Sequence, residues 1–413
     1  MATVTHALNI DTAPKPTETM LLNMGPHHPS THGVLRVLLE LDGETMVKIT
    51  PDIGYLHTGI EKNCEVKTYQ QAITLVTRAD YACSQTNDLA YVLAVEKLLG
   101  IEVPRRAQWI RVLLAELSRL ASHLLWIGTQ ALDIGATAVF LYAFREREVI
   151  LDLFDMLGGG RMFPLYMRVG GLASYFEGEK GQGVDLSKDF MTTARNLVKV
   201  LPDRIAEYER LLTKNPIWLA RTKKIGYLSL KDAIDLGVTG PILRAAGMKW
   251  DLRKNRPYSG YQEFEFDVPT RTDSDVYARY EVRVEEMRQS VRIIKQILEN
   301  LPPGPVNVDD RKIALPPRTE LYTSMESVIH HFKLVTEGFK PPVGEAYAAV
   351  ESAKGEIGVY VVSDGSNKPY RVRIRPPSFV NLQSLSKIAE GLMIADMVAI
   401  IASIDIVLGE VDR

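Results

Sequence analysis

The stretch Asp275-Val-Tyr-Ala-Arg-Tyr-Glu-Val-Arg-Val-Glu-Glu-Met-Arg-Gln-Ser290-Val-Arg-Ile-Ile-Lys-Gln-Ile-Leu-Glu-Asn300 decides how this chain folds. Val276, Tyr280, Val284, Met287, Val291, Ile294 and Leu298 recur along it every three or four residues, which predicts one apolar face on a long helix. A second stripe, Leu113, Leu117, Leu120, Leu124 and Ile127, follows Pro104, a residue suited to a helix's first turn. Asp88–Leu99 is apolar nearly all round and stops at Gly100, as a helix closed by a left-handed glycine does. Ala136–Leu157 reads as helix into Gly158-Gly159-Gly160, and Asp189–Lys214 as helix with a bend at Pro202. Ser229-Leu-Lys-Asp232 resembles a capped helix start. Stripes this long bury their faces against one another, so a helical bundle is expected at the centre.

Outward from the bundle the period changes. Val34–Leu41 and Thr45–Thr50 are strand-like and meet at Asp42-Gly43, a strong hairpin signal. After Leu301-Pro-Pro-Gly-Pro the chain breaks. Thr319–Val335 reads as helix, Glu356–Ser363 and Tyr370–Arg375 as strands around Asp364-Gly365, and Gln383–Ala402 as a final buried helix. The expected class is α+β. Its expected divisions are a loose arm over 1–19, a β-rich region over 20–62, a central helical bundle over 63–310 and a C-terminal α+β region over 311–413.

Composition narrows the function. Of 413 residues, 46% are hydrophobic and 24% charged, enough for a large packed core. Basic and acidic residues number 49 and 51, without the basic surplus of a nucleic-acid binder. Two cysteines, Cys64 and Cys83, exclude a disulfide framework or an all-cysteine cluster site and fit a reducing compartment. Met1-Ala-Thr-Val-Thr-His6 does not read as a signal peptide. The most apolar long segment, Gly391–Gly409, contains Asp396 and Asp405, which a membrane span would bury at high cost. A soluble or peripheral protein is expected.

The chemistry concentrates in Met24-Gly-Pro-His-His-Pro-Ser-Thr-His-Gly-Val-Leu-Arg36. Pro26, Pro29 and Gly33 forbid a regular helix and leave a bent loop carrying His27, His28 and His32. A proton-handling or ligand site there weighs about evenly against a turn whose histidines cap backbone. Tyr81, beside Arg78, Asp80 and Asp88, reads either as core packing or as the edge of a polar pocket. Asp133, at the end of a striped helix, either bonds backbone or orients a histidine. His123 on the apolar helix reads as a satisfied core histidine, and His330-His331 as structural. No zinc motif or phosphate loop appears, so no metal site is assigned.

Several stretches together carry a resemblance. They are Gly25-Pro-His-His-Pro-Ser-Thr-His-Gly33, Gly54-Tyr-Leu-His-Thr-Gly-Ile-Glu-Lys62, Gly240-Pro-Ile-Leu-Arg244, Lys249-Trp-Asp-Leu-Arg253 and Phe266-Asp-Val-Pro269. Val284-Glu-Glu-Met-Arg-Gln-Ser290, Ser363-Asp-Gly365, Ile374-Arg-Pro-Pro-Ser-Phe379 and Gly409-Glu-Val-Asp-Arg413 complete the set. In this order the chain resembles the 49 kDa, or D-type, subunit family of NADH–quinone oxidoreductases, respiratory complex I. The resemblance implies a fold like the large subunit of nickel–iron hydrogenases. The two metal-holding Cys-x-x-Cys pairs of those enzymes align near Asp80 and Cys83, and near Val407 and Glu410. One thiolate does not hold that soft-ligand centre, so no nickel and no iron–sulfur cluster is expected on this chain.

What the resemblance further implies is a cavity taken over by quinone as substrate. Tyr81 and His32 would hydrogen-bond the headgroup, Asp133 would stand behind His32, and His28 and Val407 would line the cavity. Arg78 would lie near the terminal iron–sulfur cluster of the adjoining B subunit. The C and I subunits and the membrane-embedded H subunit are the other implied partners. The implied place is peripheral, on the cytoplasmic face of a bacterial inner membrane, in an enzyme that translocates protons. Thr58 stands where many relatives have arginine, and 162–171 departs from the usual histidine-containing version. Quinone reduction needs two electrons and two protons. A phenol and an imidazole supply protons of different basicity, and the resulting charge change would drive the membrane part through Asp133. Rival readings are a non-catalytic scaffold, a ferredoxin-fed complex, or a hydrogenase-like one. Ubiquinone and menaquinone stay equally open.

Overall fold

A computed structural model of the chain describes residues 19–173, 176–177 and 183–413. The arm expected over 1–19 lies, apart from residue 19, outside the described residues. Four long helices, Arg105–Asp133, Thr137–Gly158, Lys188–Leu212 and Val276–Asn300, pack in a closed ring as a bundle. Asp275 caps the last of them, its Oδ1 accepting the Ala278 N–H at 2.7 Å. The Lys188–Leu212 helix continues through Pro202, which is exposed. Ser84–Leu99 packs on the bundle and ends at Gly100 with φ 67°, where a glycine has no Cβ to clash.

Two antiparallel three-stranded sheets flank the helices, which makes the class α+β. In the first, Arg36–Asp42 lies between Met20–Met24 and Thr45–Asp52. The hairpin closes as expected through Gly43-Glu44. Leu35, Val37, Leu39 and Leu41 alternate inward along its middle strand. The Met20–Met24 strand is an addition, with Met20 and Leu21 exposed and no inward alternation to announce it. In the second sheet Glu356–Ser363 is central, between Gly344–Glu351 and Arg371–Arg375. Gly344–Glu351, rich in alanine and acids, carries no local strand signal.

Two helix expectations are corrected. Thr319–Val335 divides into a 3₁₀ turn, Arg318–Tyr322, and a helix, Met325–Thr336, because the Ser324 side chain caps a new start. Gln383–Ala402 divides into Ser384–Ala389 and Ile394–Ile404. Gly391 turns the chain there, and Met46 of the hairpin bonds Gly391 N–H at 2.8 Å and Leu392 C=O at 2.9 Å. Backbone groups claimed by a neighbouring strand cannot continue a helical ladder.

Two large apolar cores result among the described residues. One joins the bundle to the second sheet through Val359, Val361 and Ile374. The other joins the first sheet to Ile242, Leu385, Ile400 and Ile404. Helix Ile394–Ile404 packs on the central Arg105–Asp133 helix and also touches the histidine loop at Pro29–Thr31. Among the described residues, no helix is long and apolar enough to cross a membrane.

Candidate functional site

The histidine loop is built around a 3₁₀ turn, Pro29–Thr31. His28 caps it, its Nδ1 accepting the Ser30 N–H at 3.2 Å. Buried Thr31 donates to the His28 carbonyl at 2.9 Å. His32 closes the turn in the left-handed region, φ 56°, its N–H donating to Pro29 C=O at 3.1 Å. A Cβ on Gly25 would lie 2.2 Å from the Leu35 carbonyl, so only glycine lets the loop's ends cross this closely. His27 is exposed and His28 half-buried.

Residues 77–83 form a tight turn between two helices. Asp80 Oδ1 accepts the Ala82 and Cys83 N–H groups, each at 3.0 Å, and so starts the Ser84–Leu99 helix. Asn87 donates to the carbonyls of Thr77 and Asp80, both at 3.3 Å. Against this turn lies the short helix Leu408–Asp412, whose Gly409 leaves no room for a Cβ beside the Ala79 carbonyl and the Tyr81 ring. Asp412 then ties down Gly54–His57. Its carboxylate accepts Gly54 N–H at 2.9 Å and Leu56 N–H at 2.7 Å, and its carbonyl meets His57 Nδ1 at 2.7 Å.

These segments line a half-open cavity of about 510 Å³, walled by Leu56, Ile60, Leu75, Phe163 and Gly409, with Tyr81, Arg78, Asn63 and Thr58 as polar groups. Arg78 lies over the Phe163 ring at 5.1 Å. The cavity is apolar with few polar groups, the usual character of a small-molecule site. His28, His32 and Val407 are not among its lining residues. Val407 is buried, its N–H donating to Ser378 Oγ at 3.2 Å.

Burial raises the Tyr81 phenol's pKa, and Asp80 and Glu410 raise it further, while Lys354 and the Leu408 N–H oppose them. The His32 side chain is exposed to solvent, although protein crowds it closely on its other sides. That crowding depresses its pKa, Asp405 pulls it up, and Lys354 pushes it down. Tyr81 and His32 thus share one electrostatic neighbour, Lys354. Cys83 is pushed up by burial and by Asp80, which keeps it a thiol. Among the described residues no three His, Cys, Asp or Glu side chains converge as a metal-holding group.

Asp133 differs from the expectation. The histidine that acts on it is His28, which partly offsets the rise that burial gives its pKa. The carboxylate that acts on His32 is Asp405. The 3₁₀ turn separates the two histidines, and the left-handed His32 backbone directs its ring to a different set of neighbours. Lys354 and Asp405, 3.3 Å apart, join the site, although no motif in the sequence gives either a role. A Lys-Gly between strands reads as a solvated turn, and nothing local announces its burial. His123 is fully buried with Nε2 3.0 Å from Glu286, as expected of a core histidine with a partner.

Several of the family-like stretches converge in one buried ion network. Arg244 pairs with Glu286 and with Glu351, each at 2.7 Å. Arg253 pairs with Asp251 at 2.7 Å and Glu116 at 3.0 Å, and Ser290 donates to Glu116 at 2.6 Å. This network bolts the bundle to the second sheet behind the site.

Comparison with known proteins identifies the family. Residues 133–413 match the family model "Respiratory-chain NADH dehydrogenase, 49 Kd subunit". A curated protein of Chloroflexus aurantiacus, named as D subunit 2 of an NADH-quinone oxidoreductase, is 58% identical over 96% of this chain and 95% of its own length. A protein of the same name from a Roseiflexus species is 59% identical over 96% and 93%. The NADH-quinone oxidoreductase D subunit of Geotalea uraniireducens is 56% identical over 96% and 99%. With matches of this extent, the chain belongs to the 49 kDa subunit family of respiratory-chain NADH dehydrogenases.

Proposed function

We propose that this chain forms the quinone-reducing site of a proton-translocating NADH–quinone oxidoreductase. The observation that carries the reading is Tyr81 and Arg78 together on an apolar-walled cavity of about 510 Å³. Quinone is the substrate, ubiquinone or menaquinone alike. Electrons reach it from an iron–sulfur cluster held by the adjoining B subunit, on the side of Arg78. Tyr81, on the cavity wall, hydrogen-bonds one carbonyl oxygen, and His32, which lies outside that lining, is the partner proposed for the other. As the ring is reduced those oxygens become basic; the phenol O–H gives one proton, leaving tyrosinate, and His32 gives the second when it starts as imidazolium, leaving neutral imidazole. Asp133, through His28, is the carboxylate that senses the new charge and passes it towards the membrane-embedded H subunit. The C and I subunits complete the surroundings, and the assembly sits on the cytoplasmic face of the bacterial inner membrane. The relatives' names support the oxidoreductase part of this reading.

The test is Tyr81→Phe in the assembled complex. Reduction of natural quinone should fall by about 10²-fold or more, while NADH still reduces the iron–sulfur clusters. Undiminished quinone turnover would remove Tyr81 from the reaction.

A further inference from the structure

Behind Tyr81 stand two fully buried carboxylates, Asp80 and Glu410. Gly409 presses on the Ala79 carbonyl, which brings their two segments together. Each acid uses only one oxygen. Asp80 Oδ1 accepts two backbone N–H groups, and Glu410 Oε1 accepts the Ser378 N–H at 2.9 Å. Asp80 Oδ2 and Glu410 Oε2 are buried without a hydrogen-bond partner. A buried carboxylate oxygen left this way is normally avoided and calls for a proton or a buried water beside it.

The surrounding charges point the same way. Lys354 acts on both acids and pairs with Asp405 at 3.3 Å. Arg283 approaches Asp405 at 4.0 Å. Arg413 acts near Glu410 but is engaged by Glu61 and the Ile374 carbonyl. Cys83 is a neutral thiol and Tyr81 a neutral phenol. Three carboxylates therefore face two available cations, Lys354 and Arg283. One proton removes the excess negative charge from this enclosed place.

We propose that Asp80 and Glu410 hold one proton between them at neutral pH and pass it to Tyr81 when that phenol gives up its own. The second half rests on the quinone reading, whereas the first does not. In the step, a carboxyl O–H bond breaks and an O–H bond forms on the Tyr81 phenolate. The pair is left doubly ionised against Lys354, and no electron moves. The transfer runs downhill, because Glu410 is pushed up only to about 8 while Tyr81 lies above the ordinary phenol value.

Infrared pH-difference spectra of the intact complex, recorded without quinone, test the pair. A protonated-carboxyl C=O band should disappear as pH rises through about 8. It should be missing in Glu410→Gln and Asp80→Asn, and shifted in Glu410→Asp. With quinone, Glu410→Gln should lower turnover about tenfold or more and steepen its alkaline fall, with Glu410→Asp restoring part of both. A band unchanged in both amide variants overturns the pair, whatever Tyr81 does. A band lost with turnover and pH profile intact overturns the delivery to Tyr81. Full turnover in Tyr81→Phe with the band present would instead strike the quinone reading alone. Should the amide variants fail to assemble, the shift in Glu410→Asp decides.

Discussion

Adding one methyl group at Gly409 separates the role of the Leu408–Asp412 helix from general stability. A Cβ there would lie 2.7 Å from the Ala79 carbonyl oxygen, 3.2 Å from that of Arg78 and 3.3 Å from Tyr81 Cδ1. Carbon and carbonyl oxygen approach to about 3.3 Å at closest, so the two backbones must part by roughly 0.6 Å. Overpacking of this kind costs about 1–3 kcal/mol. Because a misplacement of about 1 Å at a reacting group costs about 10²-fold, Gly409→Ala should slow natural-quinone reduction on the order of tenfold. The assay is NADH oxidation by the assembled complex with quinone, set against an artificial acceptor that takes electrons upstream. Gly100→Ala is the control. Its φ of 67° strains an alanine, but the added Cβ meets open space. It should cost about 1 kcal/mol and leave quinone turnover alone. If Gly409→Ala also keeps its full rate and half-saturation, this helix does not position Tyr81.

Three further outcomes follow from the buried charges. Arg244→Met leaves Glu286 and Glu351 without their guanidinium and should cost about 3–5 kcal/mol, read as a lower unfolding temperature; a change within about 0.5 kcal/mol would show the network to be idle. Burial pushes the Asp251 carboxyl up, but Arg253 and Arg244 outweigh it and hold the group down to about 2. A depressed carboxylate contributes stability above its unfolded pKa and loses it as pH falls through the folded one. Acid unfolding between about pH 4 and pH 2 should therefore flatten by roughly 2 kcal/mol in Asp251→Asn. Glu410 behaves oppositely. Burial and Asp80 raise its pKa from 4.5 to about 8, so the folded state is favoured by its proton in acid and loses that advantage as pH rises through 8. Glu410→Gln should flatten the loss of thermal stability as pH rises from about 4.5 to about 8, and an unaltered slope there would deny Glu410 that raised pKa.

Much of the fold is legible in the sequence because its signals are local. The stripes of Val276–Leu298 and Leu113–Ile127 have a helical period, and Asp42-Gly43 between alternating runs marks a hairpin whatever surrounds it. The split of Thr319–Val335 is local, a Ser324 cap inside the expected helix, but the other errors arise where distant chain overrides local pattern. Met46 cuts the last expected helix at Gly391, and Gly344–Glu351 becomes a strand only by pairing with Glu356–Ser363. The site divides likewise. Tyr81, Arg78 and the histidine loop stand out in the sequence by residue type and spacing. Lys354 does not, because burial is a property of the folded whole, and Asp405 stands out only as a carboxylate inside the apolar Gly391–Gly409 segment. The exchange of partners between Asp133 and Asp405 is a matter of which way a left-handed turn aims its ring.

The clamp between Asp412 and the Gly54–His57 loop spans 358 positions of sequence. Closing a flexible loop of that length costs about 5 kcal/mol in chain entropy, and contacts of such range form slowly. A nascent chain thus fashions its helical bundle early and finishes the cavity's rim only after residue 412 has emerged. The rim of the cavity is therefore the last part of this surface to take its final shape.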